Sequence, residues 1–461
     1  MRKPPPSPLF ILIVLLSYTG LLASTERIPT RVFNPGYLQG DCSYHSLTAA
    51  SDGMIYFSVC THHDQSSARL FQFDPATELI VQIGDLGNIL GEDSTRQIPQ
   101  GKIHTPLIEH EDYLYFSTHT SYYSGNLPNR VPPDGRAPYP GGHFMRYHLP
   151  TGTFEDLAQL KLPNEGIITM AVDTVNDTLY GLTWPTGLLI SFNLEEKLLH
   201  NWGAVQGRGE WGPLQNDWNF ICRRLAVDDA GNVYGATDTG RIWRFIKDKQ
   251  RPVEYLDKLN VADIAPPPEP GFTHLPEAHF FWNNWRTILW NPSTDSFWGL
   301  QGGSTQLFEF KPESSELRPI GLLRPDDVPQ DTRRNPFRSQ LGFTLGPENT
   351  LYYLAHGPGI EVNGRDALDT SVHLLSYQID TDRLTDHGIL AGPEDQRIFF
   401  AESLELDKNG HLYSVAWVEV TDPTRMDAIQ SARAQAAPAE TDEVIYEIQL
   451  VQLPTLKELT N

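Results

Sequence analysis

Polar and apolar positions in this chain alternate in short runs, and one run recurs. An apolar–aromatic pair stands at Ile55-Tyr56, Leu114-Tyr115, Leu179-Tyr180, Val233-Tyr234, Phe297-Trp298, Leu351-Tyr352 and Leu412-Tyr413. Each pair follows a polar turn such as VDDAGN or LDKNG, and an alternating stretch such as RRLAV or ESLEL precedes the turn. Alternation with period two, broken by turn residues, predicts a hairpin of half-buried strands. Most copies continue into a third and a fourth strand, as in RLFQFDPATELIVQIGDL and QLFEFKPESSELRPIGLL.

Seven such copies, spaced 54 to 65 residues apart, predict an all-β fold, a seven-bladed β-propeller of four-stranded antiparallel blades. One four-stranded sheet cannot bury both faces alone, so the blades must stack around an axis. A sandwich, or several small β domains, would not need seven similar copies without a linker. The segment 26–40 is expected to close the ring as a strand or strap, which makes residues 25–461 one domain.

Composition supports a turn-rich globular chain, with 36 Gly, 36 Pro and 39% hydrophobic residues. The net charge of −23 argues against nonspecific binding to nucleic acid or to anionic membrane, because phosphate partners need clustered Lys and Arg. Residues 1–24 read as a signal peptide: Arg2 and Lys3, an apolar run from Leu9 to about Leu22, then Ala-Ser. This predicts a secreted or periplasmic protein without stable membrane insertion after cleavage. Cys42, Cys60 and Cys222 permit one intrachain bridge at most, and Cys42–Cys60 is the pair whose hairpin positions are close.

Overlaying the hairpins suggests which residues meet at the mouth, where the inner strands begin and the second strands end. Counting outward from each turn places His45 opposite Cys60, with His62 and His63 beyond, and His104 opposite His119. It also pairs Thr169 with Trp184, Arg223 with Asp238, Thr287 with Gly302 beside Arg286, Leu341 with His356, and Glu402 with Trp417. A purely structural ring would hold mostly small or β-branched residues. An insertion, SYYSGNLPNRVPPDGRAPYPGG, follows His119 and leads to His143, so three histidines are expected to converge there. As neutral imidazoles, His104, His119 and His143 would hold a divalent metal such as zinc, with calcium the other cation considered. Alternatively they move protons, or His104 and His119 merely seal the channel. Trp184 and Trp417 are the expected sugar-stacking residues, with Trp211, Trp218 and Trp285 divided between stacking on sugar and packing between blades. No P-loop, dinucleotide-binding glycine run, zinc-finger spacing or G-x-S-x-G elbow is present.

The run GKIHTPL…LYFSTH…YPGGHF…LYGLTWPTG…RRLAVDDAGNVYG, in repeats two to four, resembles secreted bacterial seven-bladed propellers that include ulvan lyases and related uronate-directed polysaccharide lyases. The resemblance implies β-elimination at a uronic acid of a polysaccharide or oligosaccharide. It implies that Arg223 neutralises the carboxylate, that His104 takes one proton-transfer role, and that His119 or His143 supports it. Trp184 stands where that family's L-T-Y-P segment has its tyrosine, which leaves Tyr122, Tyr123 or Tyr139 to substitute. Arg286, His356, Glu402, Trp184, Trp417 and Tyr139 are the expected substrate-binding residues. The competing functions are a glycoside hydrolase using Glu402 and Asp238, and a propeller that binds sugar or protein without turnover.

Overall fold

The computed structural model describes residues 26–459 except 122–131, 133, 206–208, 211–219, 248, 250–251, 267–281, 326–339, 357–359, 363–364, 368–370 and 435–444. The signal-like segment, Tyr122, Tyr123, Trp211 and Trp218 therefore lie outside the described residues. No helix among those described is long and apolar enough to cross a membrane.

Seven antiparallel blades form a ring. Every apolar–aromatic pair lies on the second strand of its blade, from Ile55–Val59 in the first to His411–Glu419 in the seventh. The repeat has a local physical cause. The Asp or Asn of the preceding turn accepts backbone N–H groups two to four residues on, as Asp228 does from Ala230 and Asn232. In two blades the same carboxylate also takes the anchor phenol, with Tyr234 donating to Asp228 and Tyr56 to Asp52, each at 2.8 Å. Turn and anchor thus fix one another.

The ring closes through shared apolar clusters. Tyr56 and Leu70 meet Phe116 and Met145 between blades one and two. Tyr413 and Ile448 meet Phe57 and Phe71 between blades seven and one. Among the described residues the seventh repeat supplies an inner strand interrupted at 402–404, a second strand His411–Glu419 and a third, Tyr446–Thr455. Arg31–Phe33 is its fourth, antiparallel to Tyr446–Thr455. Arg27–Pro29 adds a fifth, parallel strand to blade six, along Arg383–Ala391. The N-terminal strap therefore latches the last two blades, the closure expected of segment 26–40.

The two rims differ. On one, the strand-to-strand turns are tight. The other, where each second strand ends and each third begins, carries among the described residues the long connection 86–107 and the helix at Pro423–Arg433. Long loops gathered at one mouth of a rigid ring are where a propeller builds its site.

Candidate functional site

The register at that mouth departs from simple counting. Lys102, not His104, pairs with His119, and Cys42, not His45, pairs with Cys60. Gly166 faces Trp184, Leu182 faces Thr169, and Phe400 faces Trp417. In blades one, two and seven the physical reason is a bulge near the start of the inner strand, whereas in blade three the turn itself sets Thr169 opposite Leu182, in unbroken register from Asp173 opposite Thr178. In blade two the five residues 103–107 oppose only 116–118, and in blade one 43–46 oppose only 58–59. In blade seven 402–404 oppose 414–415, and in blade five Arg286 is itself the extra residue between the Trp285 and Thr287 pairs. A bulge bends the strand and re-aims a side chain. His45, His104, Arg286 and Glu402 all sit in these bulges. The hydroxyl residues that follow repair the ladder: Thr105 Oγ1 accepts the Ser117 N–H at 3.0 Å, and Ser403 Oγ accepts that of Val415 at 2.9 Å.

The bulged side chains meet with residues from blades one, two, four and five. Tyr44 stacks on His104 with ring centroids 3.9 Å apart, and His119 lies 6.2 Å from His104, edge-on. Arg286 of blade five reaches Glu402 of blade seven across the axis, and Arg223 donates to Glu210 at 2.6 Å. Both guanidinium groups lie over Trp282, at 4.5 Å for Arg286 and 5.4 Å for Arg223, while Phe220 stacks on the indole at 4.1 Å. The arginines, histidines and glutamates are buried, whereas Tyr44, Trp282 and Phe220 are half-buried. Among the described residues, both ring nitrogens of His45, Nδ1 of His104, Nε of Arg286 and Oε2 of Glu210 are buried without a hydrogen-bond partner. Buried polar atoms in native proteins are nearly all paired, so such a cluster points to a ligand or to ordered water.

Burial sets the protonation states. It pushes the His104 imidazole well below its ordinary range, and the Arg223 charge, His119, His45 and Arg286 push the same way. His45 is lowered likewise, by burial and then by Arg224 and Arg286. Both rings are therefore neutral at physiological pH, the form that accepts a proton. Burial raises the Glu402 carboxyl, and Arg286 opposes the rise.

On blade seven, burial raises the Glu405 carboxyl to about 7, and the charge of Arg224 from blade four partly offsets the rise. The folded state thus holds a proton on Glu405 that the unfolded chain, with a carboxyl near 4.5, has lost. Stability therefore falls as pH rises from 4.5 to about 7, by about 3 kcal/mol from this group. Glu405→Gln should flatten that part of the curve of melting temperature against pH. An unchanged slope would count against it.

Other expected site residues are placed elsewhere. His143 turns to the fourth strand of its own blade, its Nδ1 2.9 Å from Asp156, so the three histidines do not assemble a metal site. Among the described residues, the group whose ligand atoms converge is Asp41, Cys42 and His62. Tyr139 is buried and donates to Gln100. The Nε2 atom of His356 is held by the backbone of Ala401. Trp184 and Trp285 pack in the apolar cluster joining blades three to five, and Trp417 stacks on Tyr446 at 4.3 Å beside the cluster joining blades seven and one. Trp184 and Trp285 are thus buried between blades, whereas Trp417 is half-buried with one face covered by Tyr446 of its own blade. Cys42 and Cys60 are cross-strand neighbours with free thiols. Counting missed Tyr44, Trp282, Glu210 and Lys102. One signal was available: His45-Ser46, His104-Thr105, Arg286-Thr287 and Glu402-Ser403 each place a site side chain before a hydroxyl residue, which in Thr105 and Ser403 repairs the ladder.

The chain is a seven-bladed propeller with a mouth of buried charge and half-exposed aromatic rings. A family model described as strictosidine synthase-like, N-terminal, matches residues 224–245, the first three strands of blade four. No curated protein matches. Among solved structures, a Lactobacillus plantarum protein is similar at 12% identity and TM-score 0.50, with 87% of this chain and 99% of that one covered. A Bacteroides fragilis protein assigned as a 6-phosphogluconolactonase is 11% identical at TM-score 0.47, with 88% and 99% covered. The extracellular domain of a B. thetaiotaomicron protein assigned as a hybrid two-component system is 14% identical at TM-score 0.46, and this chain, 85% covered, spans only 40% of it. At such identities the likeness concerns the fold alone.

Proposed function

We propose that the protein is a secreted polysaccharide lyase that eliminates across C4–C5 of a uronic acid at this mouth. The observation that carries the reading is the neutral His104, stacked on half-exposed Tyr44 and facing the charges of Arg223 and Arg286. The chemistry has three tasks. Arg223 holds the carboxylate as charge moves onto it, a role a fixed, planar cation fills well. His104 takes the C5 proton, as a neutral imidazole can. The C4–O bond then breaks as the C4–C5 double bond forms, and Tyr44 gives its phenol proton to the departing oxygen. Trp184 has no proton to transfer, and Tyr44 takes the place of the tyrosine that the resembled family carries there. Trp282 offers its face to a sugar ring.

The assay is a panel of uronate-containing polysaccharides, followed by ultraviolet absorbance of the unsaturated product and by reducing ends. Elimination gives both signals in step. Reducing ends without the ultraviolet band would make the protein a hydrolase, and binding without either would make it a lectin-like propeller. Trp282→Ala should weaken binding of a uronate oligosaccharide roughly three- to tenfold by calorimetry. An unaltered affinity would remove Trp282 from the site.

A further inference from the structure

Outside the mouth cluster, Asp41, Cys42 and His62 bring a carboxylate oxygen, a thiol sulfur and an imidazole nitrogen within 4.8 Å of one another. Asp41 and Cys42 lead from the strap into blade one, and His62 lies just past the end of the second strand of that blade. The cluster is rigidly mounted. Tyr446 of blade seven donates to the Asp41 carbonyl at 3.1 Å, and Arg433, at the end of the helix Pro423–Arg433, donates to the carbonyls of Leu38 and Gly40. The antiparallel bridge to Cys60 fixes Cys42 from the other side.

We infer that Asp41, Cys42 and His62 form a zinc site. Mixed sulfur, nitrogen and oxygen donors select zinc over the hard cations calcium and magnesium, which take oxygen alone. The spacing fits. Tetrahedral zinc with bonds of about 2.0 Å to nitrogen and oxygen and about 2.3 Å to sulfur separates its ligand atoms by roughly 3.3–3.6 Å. The Asp41 Oδ1 to His62 Nδ1 distance is 3.0 Å, so a shift of a few tenths of an ångström admits the ion. His62 keeps 30% of its side chain exposed, which leaves a solvent-facing position for a water as fourth ligand. Zinc would replace the proton between Asp41 and His62 and the proton on the Cys42 thiol. The loaded site, with two anionic ligands, is then electrically neutral. That suits the flanking cations Lys102 and Arg433, which already act on this cluster. The metal would tie the strap to blade one two residues before Tyr44, making it a positioning device for the ring that stacks on His104. It would also hold the Cys42 sulfur against oxidation to a disulfide with Cys60.

The test is zinc content of the full chain, purified under reducing conditions and dialysed against zinc-buffered solution. About one zinc per folded chain is expected, absent in Cys42→Ser and in His62→Asn and retained in Cys60→Ser. Because Cys42 is buried and its replacement could disturb folding, the half-exposed His62 variant and a cobalt-substituted wild type carry the same weight. Cobalt should show a thiolate charge-transfer band with tetrahedral visible bands. Folded wild type without zinc, zinc retained in both ligand variants, or cobalt bound without the thiolate band would each overturn the site.

Discussion

His104→Ala is expected to lower kcat for uronate elimination by about 10²–10⁴-fold with little change in KM, the usual cost of removing a positioned proton-transfer group. The fold should survive. The Nδ1 atom of His104 has no hydrogen-bond partner among the described residues, so truncation there breaks no bond from that atom. What is lost is the stacking of Tyr44, at 3.9 Å, and the base itself. The wild-type profile of kcat/KM against pH supplies the sign. Burial and the arginine charges hold His104 below its ordinary 6.5, so the acid limb attributable to it should lie below that value. His119→Ala makes a useful contrast. His119 packs edge-on against Trp184 at 5.2 Å, and its loss should reduce melting temperature more than it reduces kcat. If His104→Ala turns over like wild type, or if His119→Ala is the more severe in kcat, the assignment of the base is wrong.

The second large effect concerns the strap. A chain beginning at Asn34 lacks two three-residue ladders, one on blade six and one on blade seven, together with buried Ile28. At about 1 kcal/mol per net hydrogen bond and about 2 kcal/mol for a buried isoleucine, the loss is on the order of 5–8 kcal/mol. That is comparable with the whole stability of an ordinary domain, roughly 5–15 kcal/mol. It also bares Tyr446–Thr455 as an unpaired edge, a template for aggregation. The truncated chain should unfold at roughly half the urea concentration of the full chain and elute partly as aggregate. An unchanged midpoint and a monomeric profile would mean that the ring does not depend on this latch.

How much of this was legible beforehand varies by level. The blades were legible because Asp or Asn turns and their anchor aromatics are local, period-two features, repeated seven times and fixed by contacts within a few residues. The strap was legible as a leftover segment, though not the division of its six residues between two blades. The mouth was half legible. His45, His104, Arg223, Arg286 and Glu402 stand out in the sequence because ionisable groups near the start of an inner strand contrast with the small or branched residues expected there. Their partners do not, because bulges add one or two residues to the inner strand and the turn centre also varies between blades, so the pairing moves by two or three residues without any long-range mark in sequence. Lys102 rather than His104 therefore faces His119. The tryptophans failed for a related reason. Trp282 and Trp285 differ by three positions, and only the strand's true start decides which is buried and which lies under the arginines. His143 begins a third strand, and its ring pairs diagonally with Asp156 of the neighbouring fourth strand on one face of the blade.

The most direct measurement of the central claim is a crystal structure of His104→Ala soaked with an oligosaccharide containing uronic acid. The account predicts a sugar ring against Trp282, its carboxylate hydrogen-bonded to Arg223, and C5 turned toward the space left by the missing imidazole. An oligosaccharide bound on the opposite rim, or in the mouth with its carboxylate away from Arg223, would contradict it.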